Sequence, residues 1–174
     1  MAVTLTAQQM QHTKASNAYE IKNPQQTKNS FTIKDESEAA KALNLGKQEQ
    51  ISQLKDFLKG YDMTSISTDE LKTVGAKLYE HGLIDTDTFT VFITGDGATD
   101  ANGQQAHTDV KFNAIALFNE RRDDHVAYFA NDHYSDKTFA ASTIRGLTHA
   151  NQAINALAYF ANSSHDTLLV SERA

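Results

Sequence analysis

The sequence predicts a mainly α fold: a helical bundle of about four to five helices with a flexible N-terminal arm. Three observations lead there. The stretch from Tyr61 to Ile84 carries start and stop signals for one helix around a narrow apolar stripe. Apolar residues return at a period near 3.6 in the segments on either side of it. The first 33 residues are polar and almost free of carboxylates. At 174 residues the chain has the length of one ordinary domain, or of a domain of roughly 130 residues with a tail. The expected division is an arm over 1–33, a helical domain over 34–164 and a C-terminal tail over 165–174. The apolar fraction of 40% is low for a globular chain, but the charge content is ordinary, so a folded body is expected.

From Met1 to about Ile33 the chain is rich in Thr, Gln, Asn and Ser, carries Lys14, Lys22 and Lys28, and has Glu20 as its only acidic residue. Such a segment buries too little apolar surface to offset its ordering entropy, which predicts disorder. Acid-poor, Ser/Thr/Gln-rich N-termini are also what uncleaved type III and flagellar export signals look like, so the arm is a candidate export signal or a partner-binding arm. Asp35 to Leu45 favours a short helix that Gly46 interrupts. Ile51, Leu54, Phe57 or Leu58, and Tyr61 follow at helical spacing, with Lys47, Gln50, Lys55 and Lys59 outward and Gly60 at the end.

The next helix is the best marked. Ser67 or Thr68 can cap it, Asp69 and Glu70 put negative charge in the first turn, and Gly82 supplies a left-handed residue past the end. Leu71, Val74, Gly75 and Leu78 form its stripe. The short connection from Asp62 to Ser67 makes it an antiparallel neighbour of the preceding helix, and the other helical segments are expected to pack around it.

Residues 85–95, DTDTFTVFITG, are β-branched and aromatic, so propensity favours a strand. No second strand is evident to pair with it, and a short buried helix capped by Asp85 or Asp87 competes equally. The glycines and Asp/Asn residues of GDGATDANGQQAHT mark a mobile loop. A single long helix is expected from Asp109 to Asn131, with Ile115, Phe118, Val126 and Phe129 on one face. Arg122 falls on that face and must snorkel or pair at the bundle edge. The alternative makes NERRDD a turn between two strands. Ser135 to Asn162 predicts a strong helix, with Asp136 near its start and Phe139, Thr143, Leu147, Ala150, Ile154, Leu157 and Ala161 along one stripe. Its alanines and Gly146 permit close helix approach. The tail after it is expected to fray.

The join FLKGYDMTSISTDELKTVGAKLYEHGLI resembles a segment of small, uncharacterised bacterial proteins. There a Tyr-Asp-(aromatic or Met) triplet precedes an Ile-Ser/Thr pair, a helix with Leu at its start and Leu-Tyr near its end, and a Gly-Leu-Ile exit. It covers less than a fifth of the chain. The resemblance implies a helical fold and transfers no catalytic residue.

A net charge of -6 and a pI near 5.6 argue against nucleic acid as the main partner, since no Lys/Arg cluster offers a phosphate footprint and Arg121 and Arg122 are followed by Asp123 and Asp124. The absence of cysteine removes disulfides, thiolate zinc sites and cysteine nucleophiles. No apolar run approaches the length needed to span a bilayer, and the first residues lack the apolar core of a secretory signal.

The best metal candidate is the loop bearing Asp96, Asp100, Asn102 and Asp109, because calcium wants several oxygens on a tightly turning backbone. Alignment of Gly103 with an EF-hand glycine places Asp100 and Asn102 correctly. Ala98, however, falls where the first ligand belongs, Asp109 replaces the final Glu and Gln105 the apolar anchor. Asp124 with His125 and Asp132 with His133 form a second candidate for zinc or iron. On a continuous helix His125 and Asp132 lie about 10 Å apart, too far for one ion. No Gly-x-Ser-x-Gly elbow and no phosphate loop occurs. The expected role is therefore a non-catalytic helical interaction protein with a protein partner and no cofactor, serving bacterial type III or flagellar export as substrate or accessory. A calcium-responsive protein is the alternative and an enzyme the third option. The expected location is cytoplasmic, or secreted without a cleaved signal peptide.

Overall fold

A computed structural model describes residues 17–131 and 136–171, from 164 onward as backbone alone. The fold is mainly helical, with six helices among the described residues. They are α1 (Glu36–Ala42), α2 (Gln48–Leu58), α3 (Thr68–Glu80), α4 (Thr86–Thr94), α5 (Ala114–Asn131) and α6 (Lys137–Ser171). Two short strands, β1 (Ile66–Ser67) and β2 (Lys111–Phe112), pair antiparallel with Ile66 opposite Phe112 and Ser67 opposite Lys111.

The expected start and stop of α3 are present. Ser67 Oγ accepts from Glu70 N at 3.2 Å while Glu70 returns a carboxylate oxygen to Ser67 N at 2.8 Å, a complete capping box. At the other end Gly82 sits at φ +66°, where only glycine is unstrained, and Leu83 N reaches back to Leu78 O while Gly82 N reaches Tyr79 O. Leu71, Val74 and Leu78 are buried. Burying each such side chain contributes about 1.5–3 kcal/mol.

The expectation that the bundle packs around this helix is corrected. α6 is the hub: it packs against α1, α2, α4 and α5, whereas α3 packs chiefly on α4. Ala150, Ala153, Ala156 and Ala161 lie around the buried length of α6, so several helices approach it closely from different sides. A single stripe, as on α3, can serve only one direction.

Residues 86–94 are helical. Asp85 accepts from Thr88 N at 2.8 Å, and the hydroxyls of Thr90 and Thr94 bond the carbonyls four residues back, so these two β-branched residues are satisfied within the helix. Phe92 is buried where Gly75 leaves no Cβ, meets Phe118 edge-on at 5.4 Å, and Phe89 stacks on Tyr79 at 4.8 Å. Tertiary packing overrides strand propensity here.

The helix expected from Asp109 starts later. Asn113 is its cap, accepting from Ala116 N through Oδ1 at 3.1 Å, and the two residues before it form β2. The stretch expected as a strong helix from Ser135 begins at Lys137 in the described residues, with Asp136 capping Thr138 N at 2.7 Å, and its backbone stays helical through Ser171, across most of the expected tail.

Residues 17–33, assigned by composition to the arm, lie as an irregular segment with two turns against α5 and α6. Glu120 accepts from Lys22 N and Asn23 N, both at 2.7 Å. Asp124 accepts from Tyr19 Oη at 2.5 Å and pairs with Lys22 Nζ at 2.8 Å, and Asn113 Nδ2 donates to Pro24 O and Gln26 O. Tyr19, Ile21 and Ile33 add apolar contact to the core. Backbone bonds to distant carboxylates hold this strap, and composition carries no trace of them. Residues 1–16 lie outside the described residues.

Candidate functional site

α5 and α6 are in close contact near Phe118 and Asn151, where the Asn151 amide donates to Phe118 O at 2.8 Å, and towards the Asn131–Asp136 end their described residues are no longer buried, leaving an opening at the surface. The opening holds a cluster of aromatic rings. Phe129 contacts His125 at 6.1 Å, Tyr128 at 5.3 Å and, across the gap, Phe139 at 6.2 Å, the last two edge-on. Tyr128 and Phe139 remain 62% and 63% exposed. Phe139, expected in the buried stripe, thus stands outside the core, touching α5 only through the Phe129 ring among the ring contacts. Val126, expected on the same buried face as Phe118, is likewise exposed.

Two grooves flank these rings. One, of about 550 Å³, is lined by Asp124, His125, Tyr128, Phe129, Phe139 and Thr143. The other, of about 270 Å³, shares His125, Phe139 and Thr143 and continues to Asp87, Arg121 and Gly146. Polar contacts fix its walls. Asp87 accepts from Arg145 Nη2 at 2.6 Å and Ser142 Oγ at 3.0 Å, and these bonds hold its carboxyl below the ordinary aspartate range. Arg121 donates to Gly95 O at 2.7 Å, and burial lowers its guanidinium's hold on its proton. Hydrogen bonds from Lys22 and then Tyr19 depress Asp124, while burial, followed by the bond to Asp124, raises the Tyr19 phenol.

The proposed calcium ligands do not converge. Asp96 is buried and turned inward, its Oδ1 accepting from Ala98 N at 3.1 Å and Thr68 Oγ1 at 3.4 Å. Asp100 Oδ1 caps Asn102 N and Gln104 N at 2.8 and 2.9 Å. Asn102 and Asp109 are exposed. The loop is braced by Ala106 N to Ala98 O and by the Thr99–Gln105 bridge, so its carboxylates serve the turn. Among the described residues no group of three or more His, Asp or Glu is placed to share an ion.

Of the Asp-His pairs, His125 Nδ1 lies 2.7 Å from Arg121 O, and Asp132 and His133 lie outside the described residues. His149 Nδ1 meets the capping Asp85 at 3.3 Å, and among the described residues no hydroxyl bonds either imidazole. Arg122 pairs at the edge: Nε donates to Thr148 Oγ1 at 3.0 Å, Nη1 bonds Asp123, and the guanidinium lies 5.4 Å over the Phe31 ring. No described helix is long and apolar enough to cross a membrane.

Tyr128 lies outside the sequence-based expectation. Its signal is its position off the 115–118–126–129 stripe, one turn from Asp124, where an aromatic has no core to enter. Comparison of the chain with protein families, curated proteins and solved structures finds no match.

Proposed function

We propose that this chain is a non-catalytic helical interaction protein that engages a protein partner at the aromatic corner between α5 and α6. The exposed pair Tyr128 and Phe139, set beside two grooves, carries the reading. Clustered aromatics left in water are what interfaces bury, and Tyr and Phe are enriched there. The net charge of -6 favours a partner segment of net positive charge, and an amphipathic helix laid in the opening would cover the rings. The acid-poor residues 1–33 extend the reading to bacterial type III or flagellar export, as substrate or accessory.

A photoreactive residue at position 128 in living bacteria should give a discrete protein cross-link, absent when the probe is moved to exposed Glu49 and lost in Phe139→Ser. Equal labelling at both positions ends the docking reading. Export is tested separately by deleting residues 2–16 alone, because 17–33 are part of the folded body. Secretion should then fail. Secretion that is unchanged, or independent of the export apparatus, removes the export role and leaves docking standing.

A further inference from the structure

We infer that the cleft between residues 27–33, the turn at 61–64 and α6 binds a short peptide with free termini. This site is separate from the aromatic corner. Its volume is about 690 Å³, which suits a ligand of roughly two to four residues within the usual small-molecule range. Met63, Ile115, Ala158 and Ala161 give it an apolar floor.

One buried polar group faces into this space. Asn155 is only 4% exposed, and its amide donates to Asn151 O at 2.8 Å and Asn29 Oδ1 at 3.4 Å. Asn29 is itself oriented by accepting from Phe31 N at 2.8 Å. Asn155 Oδ1 makes no bond to a donor among the described residues and, unlike Asn151 Oδ1, is not sealed from solvent, so it stands as an acceptor open to the cleft. A peptide N–H supplies the donor.

Charge selects the ends. Among the described residues Lys28 and Asp62 are the only charged ones in the lining. Asp62 Oδ1 is occupied by Thr64 N and Oγ1 at 2.8 and 2.7 Å, which leaves Oδ2 for an ammonium. Lys28 Nζ makes no ion pair among the described residues and can take a carboxylate. A ligand with a single charge would match one of the two and leave the other unanswered. An unblocked peptide matches both, with its amide on Asn155 and an apolar side chain on the floor.

The test is calorimetric titration of the full chain with Ala-Leu-Ala, its N-acetylated form and its C-amidated form, repeated on Lys28→Met. Lys28 is exposed, so this variant should keep the thermal melt of the parent. The free tripeptide should bind saturably and either blocked form about tenfold more weakly, the loss of one end interaction. Lys28→Met should weaken the free peptide by a similar factor and leave the amidated one unchanged. Lack of saturation at millimolar peptide overturns the inference. So does equal binding of blocked and free forms, equal loss for both on Lys28→Met, or tighter binding of trehalose, which would assign the cleft to neutral polyols.

Discussion

The two ends of the α5–α6 pair are built from the same helices and reach opposite outcomes. At the closed end Ala114 to Phe118 are all buried, against a part of α6 in which Leu147, Ala150, Asn151, Ile154 and Leu157 are buried. At the open end no described residue from 119 to 131 or from 136 to 145 is buried. Polarity accounts for much of the difference: residues 119–125, NERRDDH, offer no apolar side chain to bury. The start of α4 also rides over Gly146, with Asp87 atoms 3.1 Å from where a Cβ would stand. Helical period tells which side of a helix is apolar; it does not tell how far along the helix a partner persists.

The strongest way to break this contrast is at the core. Leu78→Asp places an unpaired carboxylate at a fully buried site and should abolish cooperative unfolding, as read by circular dichroism; a folded variant would show the core is elsewhere. Next, Ile154→Ala at the closed end should cost about 2–5 kcal/mol in urea unfolding, and Phe139→Ala at the open end less than about 0.5 kcal/mol. Comparable losses would mean that the open end is closed in solution. At the boundary, Asn151→Ala leaves the Phe118 carbonyl short of a donor and should cost about 1–3 kcal/mol.

Asp100→Ala should cost about 1 kcal/mol, the same with or without calcium, since its carboxylate holds the loop backbone. A calcium-dependent midpoint in the parent that vanishes in this variant would restore the metal reading. The smallest effect is expected in acid. Asp124 and Asp87 are depressed below the ordinary value of 3.8, so their contribution is complete above it and is lost as pH falls through their folded values. Both pairs are solvent-screened, so the loss should be shallow, and Asp124→Asn should remove the part that belongs to the strap.

The parts of the fold that were legible rest on local rules. The capping box at Ser67, the glycine exit at Gly82 and the stripe of α3 depend on neighbours within a few residues, and the sequence displays them directly. The helix at 86–94 was half legible: its cap Asp85 was visible, but Phe92 needs Gly75 and Phe118, which no local window contains. The strap, the hub role of α6 and both proposed sites were illegible for the same reason. The peptide cleft joins 27–33, 61–64 and 155–163, and the aromatic corner arises because packing stops partway along two helices whose period continues. The loop at 95–108 shows the converse, a metal-like pattern in which one oxygen each of Asp96 and Asp100 bonds the turn.

The strap carries one more consequence, in the order of events during synthesis. Its bonds to α5 span 105 residues for Tyr19–Asp124, and the Asn29–Asn155 contact spans 126. A chain made from its N-terminus therefore exposes residues 17–33 throughout most of translation, and the strap can seat only after α5 and much of α6 have emerged. Any factor that reads this segment meets it in a time window that closes when folding is complete, so the speed of translation and of α6 docking sets how long the chain can be recognised before it becomes its own partner.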